Sequence, residues 1–230
     1  MTDVLIVQHS RTGGPGRLGE WLEAEGLKLE VVHAHAGEPL PARLDHAALV
    51  VLGGGYLPSD DERAPWLPAT RSLVRQAIDD AVPYFGICLG GQMLAEVAGG
   101  EVRGNHGEPE NGSTPVTFLA DAAGDPLFHD APAVVPAIEH HKDAITALPP
   151  GAAWLARSES CPYQALRVGE RAWGVQFHPE VSPERIRGWE VDGFDPAEVY
   201  ARAVADEPVS TPVWRAMAGR FARLVADNRP

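Results

Sequence analysis

Two short stretches put reactive residue types where they can act together. In "FGICLGGQ" (85–92) Cys88 stands between an apolar run and a glycine pair. In "WGVQFHPE" (173–180) an apolar run ends on His178, Pro179 and Glu180. A thiol becomes a nucleophile when a base takes its proton, and histidine titrates nearest neutrality. Gly86 before Cys88, and Gly90 and Gly91 after it, let the backbone bend sharply where a strand passes into a helix. The nucleophile then projects at the carboxyl edge of a sheet. The helix N-terminus adds free N–H groups and the positive end of a dipole, which favour a thiolate and an oxyanion. Residues i and i+2 of an extended segment share a side, so Glu180 can fix the tautomer of His178 as the acid of a triad. Pro179 restricts the backbone between them. A buried cysteine is often only a small core residue. Here the glycine frame and the His-Pro-Glu end outweigh that reading.

These residues need elements to hold them. Residues 3–8, 27–35, 46–55 and 83–88 read as strands, and residues 17–26, 65–81 and 89–100 as helices between them. In the second helix Leu73, Val74, Ala77 and Ile78 recur at helical spacing. Apolar strands without a polar face, alternating with helices, predict an α/β fold: a mostly parallel central sheet with helices on both faces. The second half carries shorter strand patterns, "TPVTFL", "AWLARS", "YQALRVG" and "RAWGVQFHPE", which predict a small antiparallel extension. From Ser182 onward three helical stretches follow, "SPERIRGWEV", "DPAEVYARAVADE" and "PVWRAMAGRFARLVADN". In the last, Val213, Trp214, Met217, Phe221, Leu224 and Val225 form one apolar stripe, expected to dock on the protein's own sheet. The whole of 1–230 reads as one domain, with 181–230 a helical tail packed on it.

Composition narrows the function classes. A net charge of −13 argues against a nucleic-acid partner, which draws on clustered Lys and Arg. No run of eighteen apolar residues predicts a membrane span, and "MTDVLIVQHS" opens straight into a strand. Two cysteines build no disulfide framework, so a reducing cytoplasm is the expected compartment. "GPGRLG" (14–19) satisfies the dinucleotide pattern literally, but Pro15 sits inside it and the strand-to-helix connection is long. It reads as a glycine-rich connection. His33, His35, His140 and His141 lack the cysteine or acid spacing of a metal site, so neither metal nor cofactor is expected. Cys161 reads as a loop thiol.

"GICLGGQ" and "GVQFHPE" together resemble the class I (triad-type) glutamine amidotransferase family. "VVLGGGYLPSDDERAPWL" resembles that family's oxyanion loop, "EHHKDAITALPPGA" its His-x-Asp and Leu-Pro-x-Gly stretch, and "YQALRVG" its glutamine-containing strand. Length and helical tail look most like the stand-alone members similar to the amidotransferase domain of GMP synthase. The resemblance implies Cys88 as nucleophile, His178 as base and then acid, and Glu180 as the orienting acid. It implies an oxyanion hole from the N–H groups of Gly54 and Leu89. Gln92, with Gly55, Asn111 and Gly112, would bind substrate. Two departures stand out: Gly55 replaces a common proline in the oxyanion loop, and "EPENGSTP" (108–115) places polar Asn111 and Ser113 at the expected pocket rim.

Three readings follow. In the first, glutamine is hydrolysed through a γ-glutamyl thioester, and the ammonia serves a separate synthase subunit. The 50 residues after Glu180 are too few for a synthetase domain. In the second, the chain is a self-sufficient γ-glutamyl amide or peptide hydrolase or transferase. In the third, it is a non-catalytic regulatory module. The substrate in either catalytic reading is a small molecule, and a homodimer is among the assemblies left open.

Overall fold

The computed structural model describes residues 2–189 and 195–228. Along the chain run β1 (Val4–Gln8), α1 (Gly16–Ala24), β2 (Leu29–His33), β3 (Ala48–Val51), α2 (Leu67–Asp79), β4 (Tyr84–Ile87) and α3 (Leu89–Val97). There follow β5 (Glu101–Arg103), β6 (Glu110–Phe118), β7 (Val134–His141), β8 (Ala144–Ala147), β9 (Ala153–Arg157), β10 (Ala165–Val168), β11 (Ala172–Val175), α4 (Pro183–Ile186) and α5 (Pro196–Asp227). Nine strands form one sheet in the order β2-β1-β3-β4-β11-β10-β9-β6-β7, and β5 pairs with β8 apart from it. Neighbours from β2 to β11 are parallel. From β11 to β7 they are antiparallel.

Strand alternation sorts the core into two layers. Val4, Ile6, Ala48, Val50, Phe85 and Ile87 pack with Leu18 and Leu22 of α1 and with Trp214, Met217 and Phe221 of α5. Leu5, Val7, Leu49, Val51 and Tyr84 pack with α2 and α3 on the other face. Because β3, β4 and β11 are adjacent and parallel, their carboxyl ends lie side by side. That edge, where open α/β sheets hold ligands, receives Gly53–Gly55, Cys88 and His178.

The tail differs from its sequence reading. The two helical stretches after residue 194 form one 32-residue helix, α5, with Pro208 and Pro212 inside it. Each proline removes a helical N–H, which favours a break. Tertiary contacts span this segment: Arg17 donates to Thr211 Oγ1 at 2.9 Å, and Ser113 Oγ donates to Asp206 at 2.7 Å. Of "SPERIRGWEV" only a single turn, α4, is helical, and its last residues, Glu190 and Val191, lie outside the described residues. The apolar stripe does face the sheet: Trp214, Met217, Phe221 and Val225 are buried in the α1–α5 layer. Strands β5, β7 and β8 are absent from the sequence reading. β7 contains Pro136, tolerated because this strand is the sheet's edge.

Candidate active site

Cys88 occupies the turn between β4 and α3 with φ +49° and ψ −106°, a conformation seldom adopted outside glycine. Both neighbouring elements impose it. Its N–H donates to Val175 O of β11 at 2.7 Å, and its carbonyl accepts the N–H of Gln92 at 2.9 Å. The first turn of α3 lies hard on the sheet: a Cβ on Gly90 would come 2.1 Å from Val51 O, and one on Gly91 2.6 Å from Val175 O. Only glycine lets the helix N-terminus reach this close to β3 and β11.

His178 comes from the segment following β11, its N–H anchored to Ile138 O of β7 at 2.7 Å. Its Nδ1 lies 2.8 Å from Glu180 Oε1. A carboxylate accepts, so Nδ1 carries a hydrogen and Nε2 is the nitrogen left to exchange a proton. That Nε2 is buried and has no hydrogen-bond partner among the described residues. Burial alone pushes the imidazole down. The Glu180 charge first, with the Glu180 hydrogen bond and the neighbouring Cys88 thiol, outweighs it, holding His178 well above the usual histidine range. Gly53 leaves room for the ring, since a Cβ there would sit 2.9 Å from His178 Cε1.

The "GPGRLG" segment has a structural use at this site. Gly16 packs against the Glu180 carbonyl, 2.2 Å from where its Cβ would be. Arg17 donates its N–H to that carbonyl at 3.1 Å and its Nε to Pro179 O at 2.9 Å. The glycine pattern therefore braces the backbone at Pro179 and Glu180.

Gly54 rests on His9, whose Cβ would be 2.8 Å from a Gly54 Cβ. His9 is buried, and its Nδ1 accepts the indole N–H of Trp66 at 2.9 Å. Leu89 is the first residue of α3, so its N–H faces no intrahelical carbonyl. Beside these groups opens a cavity of about 680 Å³, lined by Gly53–Gly55, Cys88, Gln92, Asn111, Lys142, His178, Arg185 and Trp189, among others. His140 stacks on Trp189 at 4.4 Å and bonds to Asn111 Oδ1 at 2.8 Å.

Of the substrate-binding residues named from the sequence, Gly55, Gln92 and Asn111 line this cavity. Gly112 and Ser113 do not. Gly112, at φ +81°, packs against Val199 of α5, and Ser113 bonds to Asp206. Gln92 Nε2 donates to Asp143 O at 3.0 Å and to Gln176 Oε1 at 3.1 Å. Cys161 lies in the loop between β9 and β10, as its sequence suggests, but it is buried there, and burial pushes its thiol up to about 12. It lies with Glu110 and His141 in one group whose donor atoms are all within 4.8 Å. Sequence spacing does not suggest that group. His33 and His35 lie elsewhere, bonded to Glu38 and to Gln8 O. Trp189, Lys142, Arg185, Gly53 and the His9–Trp66 pair are not named as site residues from the sequence, because no local pattern says which side chains of these segments meet at the cavity.

The model of the family "Glutamine amidotransferase class-I" matches residues 18–188. The chain belongs to this family. A putative glutamine amidotransferase-like protein, YfeJ, of Salmonella typhimurium is 31% identical over 189 residues, covering 80% of this chain and 78% of that one. GMP synthase (glutamine-hydrolyzing) of Salmonella arizonae is 34% identical over 142 residues, which are 59% of this chain and 26% of the synthase. The chain thus matches only about a quarter of the length of those synthases. A crystal structure of a glutamine amidotransferase from Thermotoga maritima superposes with TM-score 0.86 at 25% identity, covering 96% of this chain and 98% of that one. One from Methylobacillus flagellatus gives 0.82 at 27% identity, covering 100% and 96%. The chain has the mostly parallel, flavodoxin-like fold of these class I amidotransferases.

Proposed function

We propose that this class I amidotransferase hydrolyses the side-chain amide of glutamine through a thioester on Cys88, releasing ammonia that a separate synthase subunit consumes. The observation carrying this reading is the nucleophile turn at Cys88, set beside an imidazole whose Nδ1 is held at 2.8 Å by Glu180. His178 Nε2 takes the thiol proton, and the sulfur attacks the amide carbon. The N–H groups of Gly54 and Leu89 receive the oxyanion. As the C–N bond breaks, His178 returns the proton to the nitrogen, and ammonia leaves. Water then gives a proton to His178 and attacks the thioester carbon. The C–S bond breaks, sulfur regains its proton, and glutamate departs. Gln92, whose Nε2 is committed to the protein, has its carbonyl oxygen left for the α-ammonium of the substrate.

One observation favours a second reading. The cavity of about 680 Å³ exceeds what free glutamine fills, and Lys142, Arg185 and Trp189 line its wall. A γ-glutamyl amide or peptide would use that space, with an amine rather than ammonia leaving. Glutamine and a panel of γ-glutamyl compounds, assayed with wild type and Cys88→Ala, decide between them. Turnover of glutamine alone supports ammonia release, and preferred turnover of γ-glutamyl amides supports the second reading. Turnover unchanged in Cys88→Ala would overturn the Cys88 thioester in both readings. No turnover of any of these compounds, together with no covalent adduct on Cys88 from a glutamine-like electrophile, would leave a non-catalytic module.

A further inference from the structure

Every second residue of "VQFHPE" turns toward the nucleophile. Phe177 points into the core against Trp214. Gln176, like His178 and Glu180, faces the other way, and its Nε2 lies 3.5 Å from Cys88 Sγ. Gln176 is buried, 1% exposed, so its amide is not there to bind water.

The direction of this contact follows from a chain of fixed acceptors. Asp143 O is a backbone carbonyl and only accepts; it receives Gln92 Nε2 at 3.0 Å. Gln92 therefore turns its NH₂ inward, and the same NH₂ meets the Gln176 amide at 3.1 Å. Gln176 must present Oε1 to it, which leaves its own NH₂ aimed at sulfur. The carbonyl of Asp143 is itself held by His141 Nδ1 at 3.1 Å, and His141 Nε2 meets Glu110 Oε2 at 3.0 Å. A continuous hydrogen-bonded path thus runs from buried Glu110 on β6 to the reacting atom.

We infer that Gln176 is a further catalytic residue: its side-chain N–H donates to Cys88 sulfur, favouring the thiolate and aiming it, while Gln92 acts as a positioning residue that orients the Gln176 amide. A donor to the charged form of an acid favours that form, and the sulfur here has few other polar neighbours. His178 faces it from the segment after β11, with Glu180 behind. Glu139 of β7 is buried and lies 3.5 Å from His141 Nε2; burial and Glu110 push this carboxyl well above the usual range. The first turn of α3 and the Gly53–Gly55 loop offer backbone only.

This inference rests on Cys88 being the nucleophile but not on which amide it cleaves, so the test reads the thiol itself. The rate of Cys88 alkylation by iodoacetamide is followed against pH in wild type, Gln176→Met and Gln92→Leu, with Cys88→Ala as blank for Cys161. Gln176→Met keeps the side-chain volume and removes the donor. Its alkylation midpoint is expected about one pH unit higher, hence roughly tenfold slower alkylation below the wild-type midpoint. Gln92→Leu is expected to move it the same way by less. Should Gln176→Met fail to fold, the Gln92→Leu profile decides alone. A folded Gln176→Met whose profile overlays the wild type, or a Gln92→Leu profile that does not move, would overturn the assignment.

Discussion

At the scale of single residues, the site depends on side chains held in one tautomer or one charge state. His9 shows this beneath the oxyanion loop. Trp66 Nε1 only donates, so His9 Nδ1 must accept and Nε2 carries the hydrogen. Burial first, and His35 second, lower its pKa from 6.5 to about 4. The sign of the linkage is that of a histidine buried neutral. Unfolded chains take up a proton near 6.5 and the folded chain does not until about 4. Stability present above 6.5 is therefore lost as pH falls toward 4, by roughly 3 kcal/mol at 1.36 kcal/mol per pH unit. Urea unfolding of wild type and His9→Gln between pH 7 and about 4 measures this. The variant should lose stability less steeply, and equal slopes would count against it. The candidate triad was legible in the sequence, because Cys88 carries its glycines and His178 its Pro-Glu within a few residues. His9 was not legible, because its role comes from Trp66 and Gly54, both distant in the chain.

At the scale of elements, α5 packs against the segment that follows β11. Trp214 of α5 packs on Phe177 at 4.7 Å and reaches Phe118 of β6 at 6.4 Å. Phe177 immediately precedes His178, so the helix backs the segment that carries His178. Trp214→Ala is expected to cost about 3–5 kcal/mol, the usual range for emptying a large buried aromatic site. Its amidase activity should fall further than Val209→Ala, an exposed change on the same helix. Denaturant titration and kcat measured on the two variants separate stability from positioning; equal kcat in both would break the link between α5 and His178. The strands β1, β3 and β4 were readable because they are apolar on both faces. α5 was misread as two helices because its prolines speak locally, whereas Arg17 and Ser113, which hold it continuous, lie far away in sequence.

At the scale of the whole molecule, the dominant feature is charge. A chain of net charge −13 repels itself when compact. Salt shortens the range of that repulsion, from a Debye length of about 30 Å at 0.01 M to about 8 Å at 0.15 M. The Tm is therefore expected to rise over this interval, which differential scanning calorimetry would record; a flat or falling Tm would mean that local ion pairs such as Arg71–Asp61, at 2.7 Å, dominate instead. Among the described residues no helix is long and apolar enough to cross a membrane.

The sequence by itself determined the family, the parallel half of the sheet and the three residues of the candidate triad. Each of these is written in short-range patterns: apolar strands, a glycine frame, and i, i+2 alternation after β11. Only the tertiary structure decided which polar residues share the cavity, that Gly112 and Ser113 face α5 instead, that "GPGRLG" braces Glu180, and that Gln176 reaches sulfur. Those outcomes depend on which loops the strand order β3-β4-β11 brings together at one sheet edge, and no local pattern encodes that order.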